Sequence, residues 1–293
     1  MFFVSTISAL FCLICSIFIN ISWINDIACY FGYFLAIYIV VFIALIPGFM
    51  FVFMLISLLC DKKEKKKCKS KEDDVTILIP VYNMKKSIVE TIESIKKQKY
   101  CGNIFVNIID DGSTDGTIEL LKSIDLGYDV TLLESEHNGK AFALNYGLQY
   151  VKTDYTITVD GDTVLHPLAV RNIINKLTNS DKKTAATAGC LFVKNAKRTF
   201  ITKLQEWDYT LGIFGVKLYQ GNYNSTLVTQ GAFSAYKTHL LKEIGGWENC
   251  VGEDIVLTWE LLSNGYKTNF AKNAIAFTEV PAKYSDLGKQ RKR

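Results

Sequence analysis

The first 60 residues contain one charged side chain, Asp26, and are otherwise almost entirely apolar. Roughly 20 such residues are enough for a helix to cross a bilayer, so this stretch predicts about two transmembrane helices. We expect them over residues 1–23 and 27–60, with the intervening turn outside the cell. A cleaved signal peptide is the alternative for residues 1–23, but no basic residues precede the apolar run.

A basic segment, residues 61–74, follows the apolar region. Seven lysines and two acids lie between Asp61 and Lys71, whereas the whole chain has a net charge of only +4. Basic residues beside a membrane span stay in the cytoplasm, so we expect a multi-pass plasma-membrane protein with a cytoplasmic catalytic domain over residues 75–293. The lysines could contact anionic lipid headgroups or form a solvated linker. Because the positive charge is confined to this segment, we expect no nucleic-acid partner.

From Val75 onward, short apolar runs alternate with amphipathic helical segments. The runs that predict strands are residues 75–80, 104–109, 130–133 and 155–159. This alternation predicts an α/β fold with a mostly parallel sheet flanked by helices, and such sheets bind ligands at the carboxyl ends of their strands. The polar clusters follow directly after these strands. Asn83, which follows the first strand, is a candidate cap for the next helix.

Asp160 and Asp162 follow the fourth predicted strand and are separated by one glycine. Two carboxylates at this spacing can bind a hard cation such as Mg²⁺ or Mn²⁺, which commonly joins protein carboxylates to substrate phosphates. The alternative is an ordinary polar turn, in which Asp and Gly are favoured. The pair therefore predicts a site for a metal-bound diphosphate if other polar residues converge there.

Two further clusters follow the second and third strands. Asp110 and Asp111 could accept hydrogen bonds from a base or ribose, while Asp115 is a candidate helix cap. Lys140 stands where a helix begins, and a lysine at a helix amino terminus can reach a phosphate. Each also has a plain structural interpretation as a turn or cap residue.

Two acidic residues, Glu253 and Asp254, open a later helix. Acids in a first helical turn usually stabilise the helix dipole, but one of them could also act as the general base for an acceptor hydroxyl. The segment from Gln290 to Arg293 carries three adjacent cations and could be a solvated tail or a phosphate contact.

The order and spacing of these motifs resemble the family 2 inverting glycosyltransferases, and specifically their processive, membrane-bound branch, which includes poly-N-acetylglucosamine, hyaluronan, chitin and cellulose synthases. The resemblance covers roughly residues 75–293 and implies a GT-A-type fold. It also implies a Trp after the position of Arg293 and carboxyl-terminal spans, neither of which lies within the 293 residues.

The resemblance implies a role for each matching position. Those that would bind the UDP-sugar donor are Pro80, Tyr82, Asn83, Asp110, Asp111, Lys140 and Asp160. Those on the acceptor or phosphate side would be Gln230, Gly231, Glu253, Gln290 and Arg293. The metal, Mg²⁺ or Mn²⁺, would be bound by Asp160 and Asp162, and Asp254 would be the catalytic base.

The implied function is transfer of a sugar, N-acetylglucosamine by this resemblance, from a UDP-sugar to a growing polysaccharide. Two alternatives stay open: transfer of one sugar to a lipid carrier, and a catalytically impaired copy that only binds the nucleotide sugar. The resemblance leaves the donor sugar, the linkage and any partner membrane subunit undetermined. A sugar nucleotidyltransferase would be expected to carry a glycine-rich loop near its start, and none follows Val75.

Overall fold

The computed structural model describes residues 2–60, 73–124 and 130–291. The chain forms two compact units, residues 1–66 and 67–293, which we describe separately. Most of the predicted basic linker, residues 61–72, lies outside the described residues. The boundary between the units nevertheless falls within that segment.

The first unit is a helical hairpin. Its elements are α1 (Phe2–Val40), a π-helical segment (Val41–Leu45) and α2 (Ile46–Leu59). Among the described residues, this continuous segment is the one helix long and apolar enough to cross a membrane. Its 58 residues would extend about 87 Å if straight, well beyond the roughly 30 Å of a bilayer core.

The chain reverses direction at Gly32. This residue has φ 80° and ψ 156°, a backbone conformation that glycine adopts far more readily than other residues. The Ser57 hydroxyl donates a hydrogen bond of 3.0 Å to the Ser5 hydroxyl, so the two arms pack antiparallel. The turn therefore lies at Gly32 and not at residues 25–26, as the position of Asp26 had indicated.

The second unit contains one eight-stranded sheet. Its strands are β1 (Val75–Val81), β2 (Ile104–Asp111), β3 (Val130–Ser135), β4 (Tyr155–Val159), β5 (Thr163–Leu165), β6 (Thr184–Val193), β7 (Phe233–Lys237) and β8 (Lys267–Thr278). They are ordered β3-β2-β1-β4-β7-β6-β8-β5. The half β3-β2-β1-β4 is parallel throughout, whereas β7 pairs antiparallel with both β4 and β6.

Helices cover both faces of this sheet and confirm the predicted α/β fold. They are α3 (Ile88–Lys96), α4 (Thr117–Ser123), α5 (Lys140–Gln149), α6 (Ala169–Thr178), α7 (Phe200–Trp207), a π-helical segment (Asp208–Gly215), α8 (Val216–Gly221), α9 (Thr238–Glu243), α10 (Glu253–Ser263) and α11 (Tyr284–Arg291). One apolar core includes Ile77, Ile92 and Ile173, and a second includes Leu78, Leu144 and Leu257. Successive residues of β1 thus enter opposite cores, because side chains alternate along a strand.

The carboxyl ends of β1, β2 and β4 lie side by side because these strands are parallel and adjacent. The loops after them carry the polar clusters that the sequence singled out. The strand predictions were accurate to within two residues at these ends, with β1 and β2 each extending slightly further. The fold therefore places residues from distant parts of the sequence at one edge.

Candidate active site

A cavity of about 310 Å³ opens at the carboxyl ends of β1, β2 and β4. Its lining includes six of the residues predicted to bind the donor or metal: Pro80, Tyr82, Asp111, Lys140, Asp160 and Asp162. The cavity therefore gathers side chains from four separate loops.

Lys140 lies at the centre of the charged part of this site. Its ammonium is 2.6 Å from Oδ1 of Asp160 and 3.6 Å from Oε1 of Glu253. Burial alone would lower the pKa of Lys140, but attraction by these two carboxylates outweighs it and raises the pKa. The lysine therefore remains protonated and connects the metal motif to the start of α10.

Two carboxylates, those of Asp160 and Asp162, line the cavity where a cation is predicted. Burial, and secondarily repulsion by Asp160, raises the pKa of Asp162 to about 6. Carboxylate oxygens are the ligands that hard cations such as Mg²⁺ prefer, and a bound cation would offset the cost of ionising Asp162. The residues present therefore fit the predicted metal.

The two carboxylates alone would not complete the coordination shell of a divalent metal ion. Within the part of the chain that the structure describes, no three or more His, Cys, Asp or Glu side chains form a group that could hold a metal. Mg²⁺ commonly takes one or two protein carboxylates and completes its octahedron with water and substrate phosphate. The Asp160 and Asp162 pair matches this mode of binding.

Asp111 organises the loop that precedes α5. Its Oδ1 accepts hydrogen bonds from the backbone amides of Asn138 and Gly139, at 2.9 and 3.2 Å. Its Oδ2 accepts a second contact from Gly139 and lies 2.8 Å from Nδ1 of His137. Because both oxygens are engaged, Asp111 positions the loop that leads into Lys140.

The two carboxylate oxygens of the neighbouring Asp110 differ in their hydrogen bonding. Oδ2 accepts a hydrogen bond of 2.9 Å from the Ser113 amide, whereas Oδ1 is buried and has no partner among the described residues. A buried acceptor without a partner is costly, so such a group usually receives its donor from a ligand or water. Asp111 lines the cavity and Asp110 does not, but of the two only Asp110 keeps an oxygen to which a base or ribose could still donate a hydrogen bond.

An aromatic pair forms another wall of the cavity. The rings of Tyr82 and His137 stack with centroids 4.1 Å apart and planes 17° from parallel. Both residues line the cavity, and both remain partly exposed. The sequence did not predict a role for His137, because the stack forms only where two loops that are distant in the sequence meet. An aromatic stack of this kind could bind a planar base.

Asn83 bridges two loops and does not cap a helix. Its backbone has φ 54°, its amide donates to the hydroxyl of Ser113, and its Oδ1 accepts from the amide of Thr114. Helix α3 begins later, at Ile88, after Ser87. The predicted capping role is therefore wrong. The Asp115 carboxylate does accept a hydrogen bond from the first residue of α4, Thr117, at 3.0 Å.

The predicted base, Asp254, lies in the first turn of α10 as expected. Its Oδ2 accepts a hydrogen bond of 3.1 Å from the amide of Gly231, and its backbone carbonyl accepts the Thr258 hydroxyl. A Cβ at residue 231 would lie 2.9 Å from Nζ of Lys140. Glycine at this position therefore lets the segment before β7 approach both Lys140 and Asp254.

Gln230 directly precedes Gly231 in this segment and is buried. Its side-chain nitrogen donates to the carbonyl of Gly189 at 2.7 Å, and its Oε1 has no partner among the described residues. Gln290 is exposed on α11, and Arg293 lies outside the described residues. Of the other predicted residues that the structure describes, Glu253 contacts Lys140 and Asp254 contacts Gly231, but neither lines the cavity, and the same is true of Asn83, Asp110, Gln230 and Gln290.

One buried cation was not predicted from the sequence. Lys217 on α8 is buried, and its ammonium has no hydrogen bond or ion pair within the described ranges. Burial lowers its pKa to about 7, although the charges of Asp254 and Cys190 act in the opposite direction. No sequence pattern distinguishes this lysine from the many others, because only the packing of α8 buries it.

A parallel half-sheet with a lysine and acidic side chains at its carboxyl edge is the arrangement that the resemblance to GT-A-type glycosyltransferases implies. The profile of the family described as Glycosyltransferase like family 2 matches residues 73–293. The chain belongs to this family and is a glycosyltransferase.

Curated relatives include the poly-beta-1,6-N-acetyl-D-glucosamine synthase of Staphylococcus aureus strain COL. It is 30% identical over 223 residues, which are 75% of this chain and 53% of that protein. The synthase of the same name from Staphylococcus epidermidis is 29% identical over the same shares. The chain thus spans about half the length of the curated relatives it matches.

Solved structures support the fold. The mannosyltransferase PcManGT of Pyrobaculum calidifontis, solved with GDP-Man and Mn²⁺, has a TM-score of 0.66 at 20% identity, covering 83% of this chain and 68% of that one. Staphylococcus aureus TarS 1–349, solved with UDP-GlcNAc, has a TM-score of 0.51 at 18% identity, covering 71% and 59%. At these identities the likeness establishes the fold alone.

Proposed function

We propose that this protein transfers N-acetylglucosamine from UDP-N-acetylglucosamine to a growing polysaccharide at the membrane, with inversion at the anomeric carbon. The observation that carries the proposal is the position of Lys140, which lies within 4 Å of Asp160 and Glu253. This contact joins the predicted metal motif to the helix that carries the predicted base. The names of the curated relatives support the donor and the polymer.

In the proposed reaction, an acceptor hydroxyl attacks the anomeric carbon while Asp254 takes its proton. A new carbon–oxygen bond forms, and the bond to the diphosphate oxygen breaks with its electrons leaving on UDP. The Gly231 amide fixes the orientation of the Asp254 carboxylate. General-base assistance of this kind typically contributes about two to four orders of magnitude in rate.

The leaving diphosphate needs positive charge. Asp160 and Asp162 would hold a divalent cation, which would supply part of it as a Lewis acid. The solved mannosyltransferase contains Mn²⁺ together with GDP-Man, which supports a metal at this site. Lys140 supplies a second, fixed positive charge from the start of α5. Asp110 and Tyr82 are the proposed contacts for uridine, and Asp111 acts by positioning the loop before α5.

We propose that the apolar hairpin anchors the protein in the plasma membrane. Each arm is longer than the roughly 20 residues that a crossing needs. The arms pack antiparallel through Ser5 and Ser57, which supports the proposal of two crossings with both ends on one side. The lysines of the segment 61–74 support a cytoplasmic location for that side.

The deciding experiment is a donor screen on the full chain in membranes, measuring UDP release with each UDP-sugar, with and without Mg²⁺ or Mn²⁺. Asp254→Asn should keep UDP binding and lose at least 10²-fold in turnover. Glu260→Gln, on the same helix, is the matched control and should keep its activity. Wild-type turnover in Asp254→Asn would remove Asp254 as the base.

Product length separates polymer synthesis from the alternative of a lipid-linked acceptor. A labelled donor should yield a ladder of oligosaccharides, and a single addition would refute the polymer. Metal-dependent UDP binding without transfer or hydrolysis would instead indicate a binding copy that lacks turnover.

A further inference from the structure

Helix α7 and the π-helical segment after it present four large apolar side chains to solvent. Phe200, Leu204, Trp207 and Leu211 are 81%, 58%, 61% and 64% exposed. Their spacing of four, three and four residues places them on one side of a helix. Single exposed apolar residues are common on protein surfaces, but an aligned row of four indicates an interaction surface. We call this row the α7 stripe.

The helix is fixed so that the stripe cannot turn inward. On its opposite face Thr202 and Gln205 are buried, and the Gln205 side-chain nitrogen donates to the carbonyl of Pro281 at 2.9 Å. At its amino end, Thr199 and Thr202 form a reciprocal capping box. These contacts hold the stripe outward as a preformed surface.

Positive charge borders the amino-terminal end of the stripe. An open groove of about 970 Å³ is lined by Lys197, Arg198 and Lys203, with Glu206 as the opposing acid. Lys194 also lines the groove but is paired with Glu90 and Glu279. An apolar row with a tryptophan, flanked by lysine and arginine, has the composition of a helix that lies in the surface of an anionic bilayer.

We propose that the α7 stripe lies in the surface of the anionic membrane in which the hairpin is anchored. The four apolar side chains insert among the lipid chains, and Lys197, Arg198 and Lys203 contact lipid phosphates. This inference rests on the proposed anchoring of the hairpin, and it adds a second attachment, made by the catalytic domain itself. A second copy of the chain is the competing occupant of the stripe.

The test uses the full chain in nanodiscs, one chain per disc, with a phospholipid that carries a photoreactive diazirine on its acyl chain. After illumination, mass spectrometry maps the labelled peptides. We expect labelling of residues 200–211 that falls at least tenfold in the double variant Leu204→Glu/Leu211→Glu. Tyr150→Glu, which changes an exposed aromatic side chain directly after α5, is the matched control and should leave that labelling unchanged.

Two internal readouts separate the possible failures. Hairpin peptides should be labelled in every variant, and their absence would refute the anchoring itself. UDP binding should stay within about twofold in all variants, which shows that the catalytic domain is folded. If hairpin peptides are labelled but residues 200–211 are not, the stripe does not meet the bilayer and the inference is wrong.

A second experiment varies the charge of the lipid headgroups. The triple variant Lys197→Gln/Arg198→Gln/Lys203→Gln should reduce labelling of residues 200–211 about tenfold in phosphatidylglycerol discs and much less in phosphatidylcholine discs. Equal reduction in both would contradict the headgroup contacts. Protection of the stripe that appears only when two chains share a disc would identify a second copy as the occupant.

Discussion

Lys140, the first residue of α5, lies 2.6 Å from Oδ1 of Asp160, which follows β4. The pair connects two loops at the same sheet edge. Lys140 neutralises part of the negative charge of Asp160 and Glu253. A donor diphosphate would compete with Asp160 for the same ammonium.

We expect Lys140→Met to reduce turnover about 10²-fold, because it removes a fixed positive charge at the leaving group. Steady-state UDP release measures the effect. Lys122→Met is the matched control, since Lys122 pairs with Glu134 at the same 2.6 Å distance on an exposed surface. Equal losses in the two variants would show that the effect of Lys140 is not specific to the site.

Asp162→Asn should stabilise the metal-free protein. The pKa of Asp162 is about 6 in the folded state against an ordinary 3.8, so folding favours the protonated form. The cost of ionising it therefore grows as pH rises from about 4 to 6 and is full above that range. At pH 7 in EDTA, the free energy of unfolding should rise by on the order of 2 kcal/mol, as urea denaturation would show.

A bound metal ion should make the wild type more stable than Asp162→Asn. Mg²⁺ or Mn²⁺ with UDP should stabilise the wild type and not Asp162→Asn, and Asp162→Ala should lose metal-dependent UDP affinity by calorimetry. Asp181→Asn is the control, because Lys267 lowers the pKa of Asp181 and its loss should bring no gain in stability. Unchanged UDP affinity in Asp162→Ala would refute the metal assignment.

Asp110 and Asp111 should respond differently to the same substitution. Asp111→Asn disturbs contacts to three successive residues of the loop and should lower the free energy of unfolding by about 2 kcal/mol. Asp110→Asn can keep the Ser113 contact but replaces the unpartnered oxygen with a donor. It should lower UDP affinity about tenfold while stability changes by less than about 1 kcal/mol.

Calorimetry with UDP and urea denaturation, run on both variants, test this contrast. If Asp110→Asn unfolds as easily as Asp111→Asn and binds UDP normally, then Asp110 does not contact the nucleotide and the proposed division of roles between Asp110 and Asp111 is wrong.

Lys217→Met should stabilise the protein at neutral and lower pH. Because burial lowers the pKa of Lys217 to about 7, the folded state disfavours its charged form. The cost is full below pH 7 and disappears as pH approaches the ordinary value of 10.5, so wild-type stability should rise across that interval. The gain at pH 6 should be on the order of 3 kcal/mol, and Lys237→Met, at a more exposed lysine, should show much less.

The site could be predicted only in part. The acids after β2 and β4 and the lysine that begins α5 were found because short polar clusters directly follow apolar runs. The stacking of His137 on Tyr82 and the burial of Lys217 left no such signal. Both depend on contacts between segments far apart in the sequence, and local patterns carry no information about which segments meet.

The same limit applies to the first unit, residues 1–66. The scarcity of charge identified an apolar region, but a hydrophobic pattern does not mark the position of a turn within it. Gly32 was inconspicuous in the sequence, and the antiparallel contact between Ser5 and Ser57 reveals its role.

The sequence by itself determined the order of strands and helices in the first half of the sheet, the apolar region and the residue types of the site. These follow from local periodicity and from side-chain chemistry, which each segment carries independently. Only the tertiary structure decided that Asp111 organises a loop while Asp110 keeps a free oxygen, and that Lys140 lies between Asp160 and Glu253. Such roles depend on distances of a few ångströms between loops, and those distances are set by how the strands pack in the sheet.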